Sequence, residues 1–407
     1  MKILFINNFL FTVGGVETYI KSLSEELVNL GHDVQFFGMD DSRNFFSNRY
    51  GIYSRKIDLK TKNLLKLFYY SFSLIYSIRN KIRLTKLLLL LKPDIVHLNN
   101  INYNLTTSIF DPIRKLRIPI VKTIHDAQIS CSNHRLLIPD KNIPCTKCNS
   151  GNFTHALRNK CIDGSFSKSF LGMIESYFNH IFKRYLKIDL FIFPSKFMLE
   201  NHSKLYLNNS KFIFLPNFAR LNKVQSDLIP INPVIFDNYC LFFGRLSVEK
   251  GIHLIIKLSK NFPNENFVFV GSGPMKASIP TNQSNIQVLD FISDNTLLSS
   301  IISAAKLTFS PSIWYENSPL NVIESINLGT PVLGSNIGGI PEFISDGING
   351  KLFKSGNYED FSNKFIEAIK LKGFNVQSDF NSMINSKQYA NNLIKKYEEL
   401  IINSQKI

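Results

Sequence analysis

The chain reads as an α/β protein built from two doubly wound units, and three features of the sequence predict this. Short apolar runs of the buried parallel-strand type open each half, at Lys2 to Asn8 and again at Tyr239 to Phe243. Each run leads into a glycine-bearing loop, Thr12-Val13-Gly14-Gly15-Val16-Glu17 in the first half and Gly244-Arg245-Leu246-Ser247-Val248-Glu249-Lys250-Gly251 in the second. Between the halves, from Asn217 to Asn238, the text turns irregular around Pro230 and Pro233, as an interdomain linker does.

Bulk properties agree with that class. A chain of 407 residues suggests two or three domains, and 44% apolar with 19% charged residues describes a globular protein. The formal net charge of +16 implies anionic partners, whether nucleotide phosphates, lipid head groups or nucleic acid, and charge alone does not choose among them. Leu67 to Ile78 is charge-free but too short to span a bilayer, and Arg79, Lys81, Arg83 and Lys86 follow it. The opening MKILFINNFLF is interrupted by Asn7 and Asn8, which favours a buried first strand over a signal peptide.

In the first half, Tyr19, Leu23, Leu27 and Leu30 recur at helical spacing up to Gly31, and Asp33 to Phe37 is the second strand. Strand, Gly-Gly loop and helix make half of a doubly wound unit, in which ligands bind at the strand's carboxyl end. Gly14 and Gly15 would let backbone N–H groups approach a phosphate; a plain tight turn is the alternative. From Phe45 to Leu91 the aromatics Phe68, Tyr69, Tyr70, Phe72 and Tyr76 stand among Lys62, Lys66, Arg79, Lys81 and Arg83. Such a stretch suits an anionic membrane interface, or else two core helices with solvated lysines.

Pro93 to Leu98 and Ile118 to Thr123 are further strands, the second ending in Ile124-His125-Asp126. A histidine there faces the ligand side of a doubly wound unit, although a structural histidine bonded to Asp126 is the other reading. Cys131, Cys145, Cys148 and Cys161 follow, with a C-x-x-C flanked by one cysteine on each side. Four thiolates so spaced could close a tetrahedral zinc site; two disulfides or free thiols are the alternatives, and a cytoplasmic chain would keep its thiols reduced. Ser169 to Leu186 is expected as a helix and Asp189 to Pro194 as a strand.

In the second half, Asn266 to Val270 with Gly271-Ser272-Gly273-Pro274 is a strand and glycine turn, Val288 to Phe291 an edge strand, and Ala305 to Pro311 the strand that delivers Ser310 to Gly350. In that last stretch Ser318 suits an N-cap and Pro319 the first helical turn of a helix from Leu320 to Asn327 that stops at Gly329. Amides of Leu320 and Asn321 at the helix start favour a phosphate, and Glu316 and Glu324 could accept hydrogen bonds from the hydroxyls it carries. Two ordinary surface glutamates are the bland alternative. A strand at Pro331 to Leu333 and a second glycine turn, Ser335 to Ile340 with Pro341 and Glu342, follow directly. Lys387 to Ile402 closes the chain as a helix with Tyr389, Leu393, Tyr397 and Leu400 on one face.

The spaced pair Glu316 and Glu324, the Arg245 to Lys250 loop and the strands ending Phe193-Pro194-Ser195 and Leu215-Pro216-Asn217 together resemble the retaining GT-B glycosyltransferases of family 4, over most of the chain. The resemblance implies a GT-B fold, two Rossmann-like domains facing a central cleft: residues 1–217 for the acceptor, with the cysteine insert 131–161; residues 218–386 for the nucleotide sugar; and residues 387–407 as a helix packing back on the first. It implies transfer of a sugar from a UDP- or GDP-sugar to an acceptor hydroxyl of a glycan or lipid-linked precursor, with retention. Glu316, His125, Arg245 and Lys250 would act on the reacting sugar diphosphate; Gly14, Gly15, Gly271, Gly273, Ser318, Leu320, Asn321 and Glu324 would bind the nucleotide sugar. The cations and the helix start would do the work of a divalent ion, so no catalytic cofactor is expected, and zinc at the cysteines would be structural. Surface polysaccharide assembly at the inner face of the cytoplasmic membrane is the expected setting, with nucleic acid outside the expected partners. Two rivals share features: a GT-B sugar-nucleotide epimerase or hydrolase shares the cleft, and a basic nucleic-acid binder shares the charge. A dinucleotide oxidoreductase would need G-x-G-x-x-G, which the Gly14-Gly15 loop lacks.

Overall fold

Burial on both faces turns the apolar runs into strands. In β1 (Lys2–Ile6), Ile3, Leu4, Phe5 and Ile6 have no exposed surface, so the strand has no solvent side toward which to alternate. The computed structural model describes residues 1–55, 64–203, 205–207, 211–221, 233–371, 373–374 and 384–405. Its chain separates into two units: Met1–Lys141 with Cys145–Leu215 and Ser386–Ile407, and Asn142–Pro144 with Pro216–Asn385.

The first unit is built on β1, β2 (Asp33–Phe37), β3 (Ile95–Leu98) and β4 (Ile120–Thr123). Two-residue strands β5 (Leu137–Ile138) and β6 (Ile143–Pro144) lie in the cysteine segment, and β7 (Leu190–Phe193) and β8 (Phe212–Phe214) complete the main sheet. That sheet is parallel throughout, in the order β2-β1-β3-β4-β7-β8. Helix Gly15–Asn29 covers it with Tyr19, Ile20, Leu23 and Leu27. The basic aromatic stretch forms two helices, Leu64–Ser73 and Ile78–Leu91. The charge-free run is broken because the Ser77 side chain accepts the Asn80 amide and caps the second helix. Lys62 lies outside the described residues, as do the side chains of Lys66 and Phe68.

The expected helix from Ser169 to Leu186 is instead Phe166–Ile181. Ser165 caps it by accepting the Lys168 amide, and a tighter turn, Arg184–Lys187, follows Lys183 at φ 47°. The last helix, Ser386–Gln405, belongs to this unit. Tyr389 Oη meets Tyr19 Oη at 2.7 Å, and Tyr397 Oη meets His97 Nδ1 at 2.5 Å. The other imidazole nitrogen, Nε2, lies 2.7 Å from Thr123 Oγ1, and burial pushes His97 down to about 3, so the ring is neutral between two hydroxyls.

The second unit repeats the plan with β9 (Cys240–Phe243), β10 (Phe267–Val270), β11 (Ile286–Leu289), β12 (Leu307–Ser310), β13 (Val332–Ser335) and β14 (Gly350–Phe353). All pairs are parallel, in the order β11-β10-β9-β12-β13-β14. Side chains alternate between two helical layers. Phe242, Phe267, Phe269 and Phe309 pack with Phe361 and Phe365 of helix Tyr358–Ala368; Tyr239, Leu241, Val268 and Val270 pack with Leu298, Ile301 and Ile302 of helix Asn295–Ala304. The edge strand starts two residues before the expected Val288. Asn285 fixes that start, its carbonyl accepting the Phe267 amide and its side chain donating to the carbonyls of Ser259 and Glu265. Part of the linker, residues 222–232, lies outside the described residues. Among the described residues no helix is long and apolar enough to cross a membrane.

Candidate active site

In the second unit the strand order reverses between β9 and β12, because β10 and β11 extend the sheet to one side and β12 to β14 to the other. Loops leaving the carboxyl ends of strands at such a point diverge and leave a crevice for a ligand. Here the loop after β9 carries Arg245 and Lys250, and the loop after β12 carries Ser312, Trp314 and Glu316. The two are tied by the Ile313 amide donating to Glu249 O at 2.9 Å. Gly251, at φ 75°, lies so close that a Cβ would fall 1.9 Å from Pro311 O. The loop after β13 closes over Glu316 from the other side: Gly339 N donates to Glu316 O at 2.8 Å, and a Cβ on Gly338 would fall 2.4 Å from that oxygen. Gly271 and Gly273, after β10, pack against the carbonyls of Gly244 and Leu246.

This scaffold brings Lys250 and Glu316 into one ion pair. Glu316 Oε1 accepts from Lys250 Nζ at 2.5 Å, Ser312 Oγ at 2.7 Å and Trp314 Nε1 at 2.7 Å, and the residue is 8% exposed. Burial, the largest influence, pushes its carboxyl up; the Lys250 ammonium together with the Trp314 and Ser312 hydrogen bonds outweighs it and holds the group below the usual range. Lys250 Nζ also sits 5.6 Å from the centre of the Trp314 ring. Arg245 is exposed, and no ion pair of its guanidinium occurs among the described residues.

The helix Leu320–Leu328 begins beside that pair and ends at Gly329, at φ 84°. Pro319, not Ser318, is its N-cap, and no side chain caps it. Ser318 is held away by Asn217, whose backbone amide donates to Ser318 Oγ at 3.2 Å and whose side chain donates to Ser318 O at 3.1 Å. The first amides the helix takes up are those of Val322 and Ile323, both on Pro319 O at 3.1 and 3.2 Å. Leu320 and Asn321 therefore have N–H groups with no intrahelical partner, at the positive end of the helix. Glu324 is 2% exposed, and its Oε1 accepts from Arg220 Nε at 2.8 Å. Burial raises its carboxyl more than Arg220 lowers it. Two buried polar atoms in this region, Ser247 Oγ and Asn217 Oδ1, have no hydrogen-bond partner.

In the first unit the order reverses between β1 and β3, and the predicted residues there are largely occupied by their own neighbours. Gly14 is extended at φ −172°, precedes helix Gly15–Asn29, and gives its amide to Glu17 Oε2 at 3.0 Å, so that donor is not free for a phosphate. A Cβ on Gly14 would meet nothing within 4 Å, so close approach does not demand glycine there. His125 Nε2 lies 2.8 Å from Asn99 Oδ1, while Asp126 accepts from the Asn102 side chain at 2.7 Å and the Gln128 amide at 3.0 Å. Burial and then Lys122 hold His125 well below the usual imidazole value, so it is neutral.

Comparison with known proteins decides the family. The description "Glycosyltransferase Family 4" matches residues 13–223, and "Glycosyl transferases group 1" matches residues 234–388. The chain belongs to glycosyltransferase family 4. This glycosyltransferase is 22% identical over 358 residues to an uncharacterized 42.6 kDa protein in cps region of Klebsiella pneumoniae, covering 84% of its own chain and 87% of the relative. In fold it is similar to a glycosyltransferase from Rickettsia africae, at a TM-score of 0.66 and 16% identity over 98% of both chains. It is also similar to Anabaena HepE in complex with UDP and glucose, at a TM-score of 0.60 and 15% identity over 100% of this chain and 98% of that one. Those likenesses establish the GT-B fold, with its two Rossmann-like units.

Sequence reading of the glycosyltransferase missed Ser312, Trp314, Asn217 and Arg220. Trp314 carried a signal, being the only tryptophan and two residues from Glu316. Arg220 and Asn217 carried none, because they reach their partners across 104 and 101 residues. The cysteines Cys131, Cys145, Cys148 and Cys161 are free and line one cavity of about 10 Å³ together with His155. Among the described residues no group of three or more His, Cys, Asp or Glu stands ready-made to hold a metal ion.

Proposed function

We propose that this glycosyltransferase moves a sugar from a UDP- or GDP-sugar to an acceptor hydroxyl with retention at the anomeric carbon. The observation that carries the reading is the conjunction in the second unit of the unpaired Leu320 and Asn321 amides with the Lys250–Glu316 pair. A diphosphate on the helix start would be met by those amides, Lys250 and Arg245, which offset the charge that grows as it departs. Glu316 then accepts from the sugar's hydroxyls, and Lys250 passes from carboxylate to phosphate when the donor enters. The orphaned Ser247 Oγ is a further polar group for the nucleotide sugar. The bond from anomeric carbon to phosphate oxygen breaks, a bond to the acceptor oxygen forms, and the acceptor's proton passes to the departing diphosphate. UDP and glucose in the Anabaena neighbour support a uridine donor.

The acceptor belongs, in this reading, to a surface polysaccharide precursor on a lipid carrier, supported by the Klebsiella relative in cps region. A membrane face is supported by Leu65, Tyr69, Phe72, Ile78 and Ile82, which are exposed on the two basic helices, and by exposed Lys86, in a chain of net charge +16. Sedimentation with phosphatidylglycerol vesicles, falling with added salt and absent with phosphatidylcholine alone, is expected; equal binding to both lipids would remove the electrostatic face.

Glu316→Ala or Lys250→Ala should lower turnover at least about a hundredfold while the circular dichroism spectrum is retained, the scale of losing one positioned charge contact. Unchanged turnover in both variants would remove the assignment. Product analysis without acceptor separates the reading from an epimerase or hydrolase, which would convert the donor alone.

A further inference from the structure

Three turns in the first unit carry the four cysteines Cys131, Cys145, Cys148 and Cys161 to the walls of one cavity. The first turn holds Cys131: its amide donates to Ala127 O at 2.8 Å, and the His134 amide donates to Cys131 O at 3.0 Å. The second holds the C-x-x-C pair: the Cys145 amide donates to Leu136 O at 2.8 Å, and Gly151, at φ 82°, closes the turn by donating to Cys148 O at 2.9 Å. In the third, the Cys161 amide donates to Ala156 O at 3.0 Å. Asn133 ties the first to the last, accepting from Cys131 Sγ at 3.0 Å and donating to Cys161 O at 3.1 Å. No pair is joined as a disulfide.

The four thiols line one cavity together with Asn133 and His155. The cavity of about 10 Å³ holds one small ion and little else.

We propose that Cys131, Cys145, Cys148 and Cys161 bind one Zn²⁺ as a closed four-thiolate site that clamps this segment and takes no part in sugar transfer. Binding replaces four S–H bonds by four Zn–S bonds and releases four protons to solvent. The thiols are not drawn together as a finished cage, so rotation of the cysteine side chains toward the cavity completes the site. Four sulfur ligands leave no open position for a substrate, which makes the ion structural.

The test is elemental analysis of the full chain purified under reducing conditions without chelator. About one zinc per chain is expected, falling at least about fivefold in Cys145→Ser and Cys148→Ser, and unchanged in Cys240→Ser, whose thiol is buried in the second unit. Replacing zinc by Co²⁺ should add a sulfur-to-cobalt charge-transfer band in the wild type that Cys148→Ser lacks. If the serine variants fail to fold, thermal unfolding of wild type decides: a strong chelator should lower Tm, and Zn²⁺ alone should restore it. No zinc with four titratable thiols, or two disulfides in place of those thiols, would overturn the proposal.

Discussion

Glu175 shows how much one side chain can couple this chain to pH. It is 4% exposed, Oε1 accepts from the Asn179 side chain, and Oε2 has no partner, so burial pushes its carboxyl up to about 8. Between pH 5 and pH 8 the folded chain keeps a proton that the unfolded chain has shed, so folding takes up a proton and stability falls as pH rises through that window. Glu175→Gln supplies the neutral form at every pH. Urea unfolding should find the variant more stable than wild type by on the order of a few kcal/mol at pH 8 and equal to it near pH 4.5; a constant difference across the window would show that Glu175 ionises normally. At the site, the same scale explains what sequence reading could and could not reach. Lys250 was legible as a cation beside a glycine turn and Glu316 as a carboxylate just before a helix start, but their ion pair was not, because the two residues stand 66 apart on loops after different strands. Ser318 looked like an N-cap by local chemistry, and Asn217 overrides that preference from the far end of the linker.

Helices and strands were legible where burial is lopsided or complete. Short apolar runs marked β1 and β9, whose strands are covered on both faces. Boundaries failed where a single polar side chain sets the end, as Ser165 does for helix Phe166–Ile181 and Asn285 for β11. The closing helix, Ser386–Gln405, was visible through Tyr389, Leu393 and Tyr397, but its polar anchors were not. Its hold on the first unit includes Tyr397 Oη on His97 Nδ1. Tyr397→Phe leaves a buried imidazole nitrogen unpaired and should cost about 1–3 kcal/mol in denaturant unfolding. His97→Phe together with Tyr397→Phe should recover part of that loss; if the double variant loses the sum of the single losses, the two groups do not interact.

At the level of the whole chain, a parallel six-stranded sheet whose order reverses beside its first strand occurs twice, with one strand, β2, beyond the first strand in the first unit and two, β10 and β11, in the second. Among the described residues, the second unit sets the Lys250–Glu316 pair and the Leu320 and Asn321 amides on the loops at that reversal; in the first, the Gly14 amide and His125 already have partners. We propose on this ground that the second unit holds the nucleotide sugar. Trp314, the only tryptophan, donates to Glu316, so a ligand that displaces Lys250 from Glu316 must alter the indole's surroundings. Titrating the full chain with UDP and with GDP, exciting tryptophan alone, tests this most directly. The account predicts a saturable change in Trp314 fluorescence with at least one of the two nucleotides, weakened at least about tenfold in Lys250→Ala, a loss of roughly 1.4 kcal/mol; no change with either, or the same affinity in the variant, would contradict it.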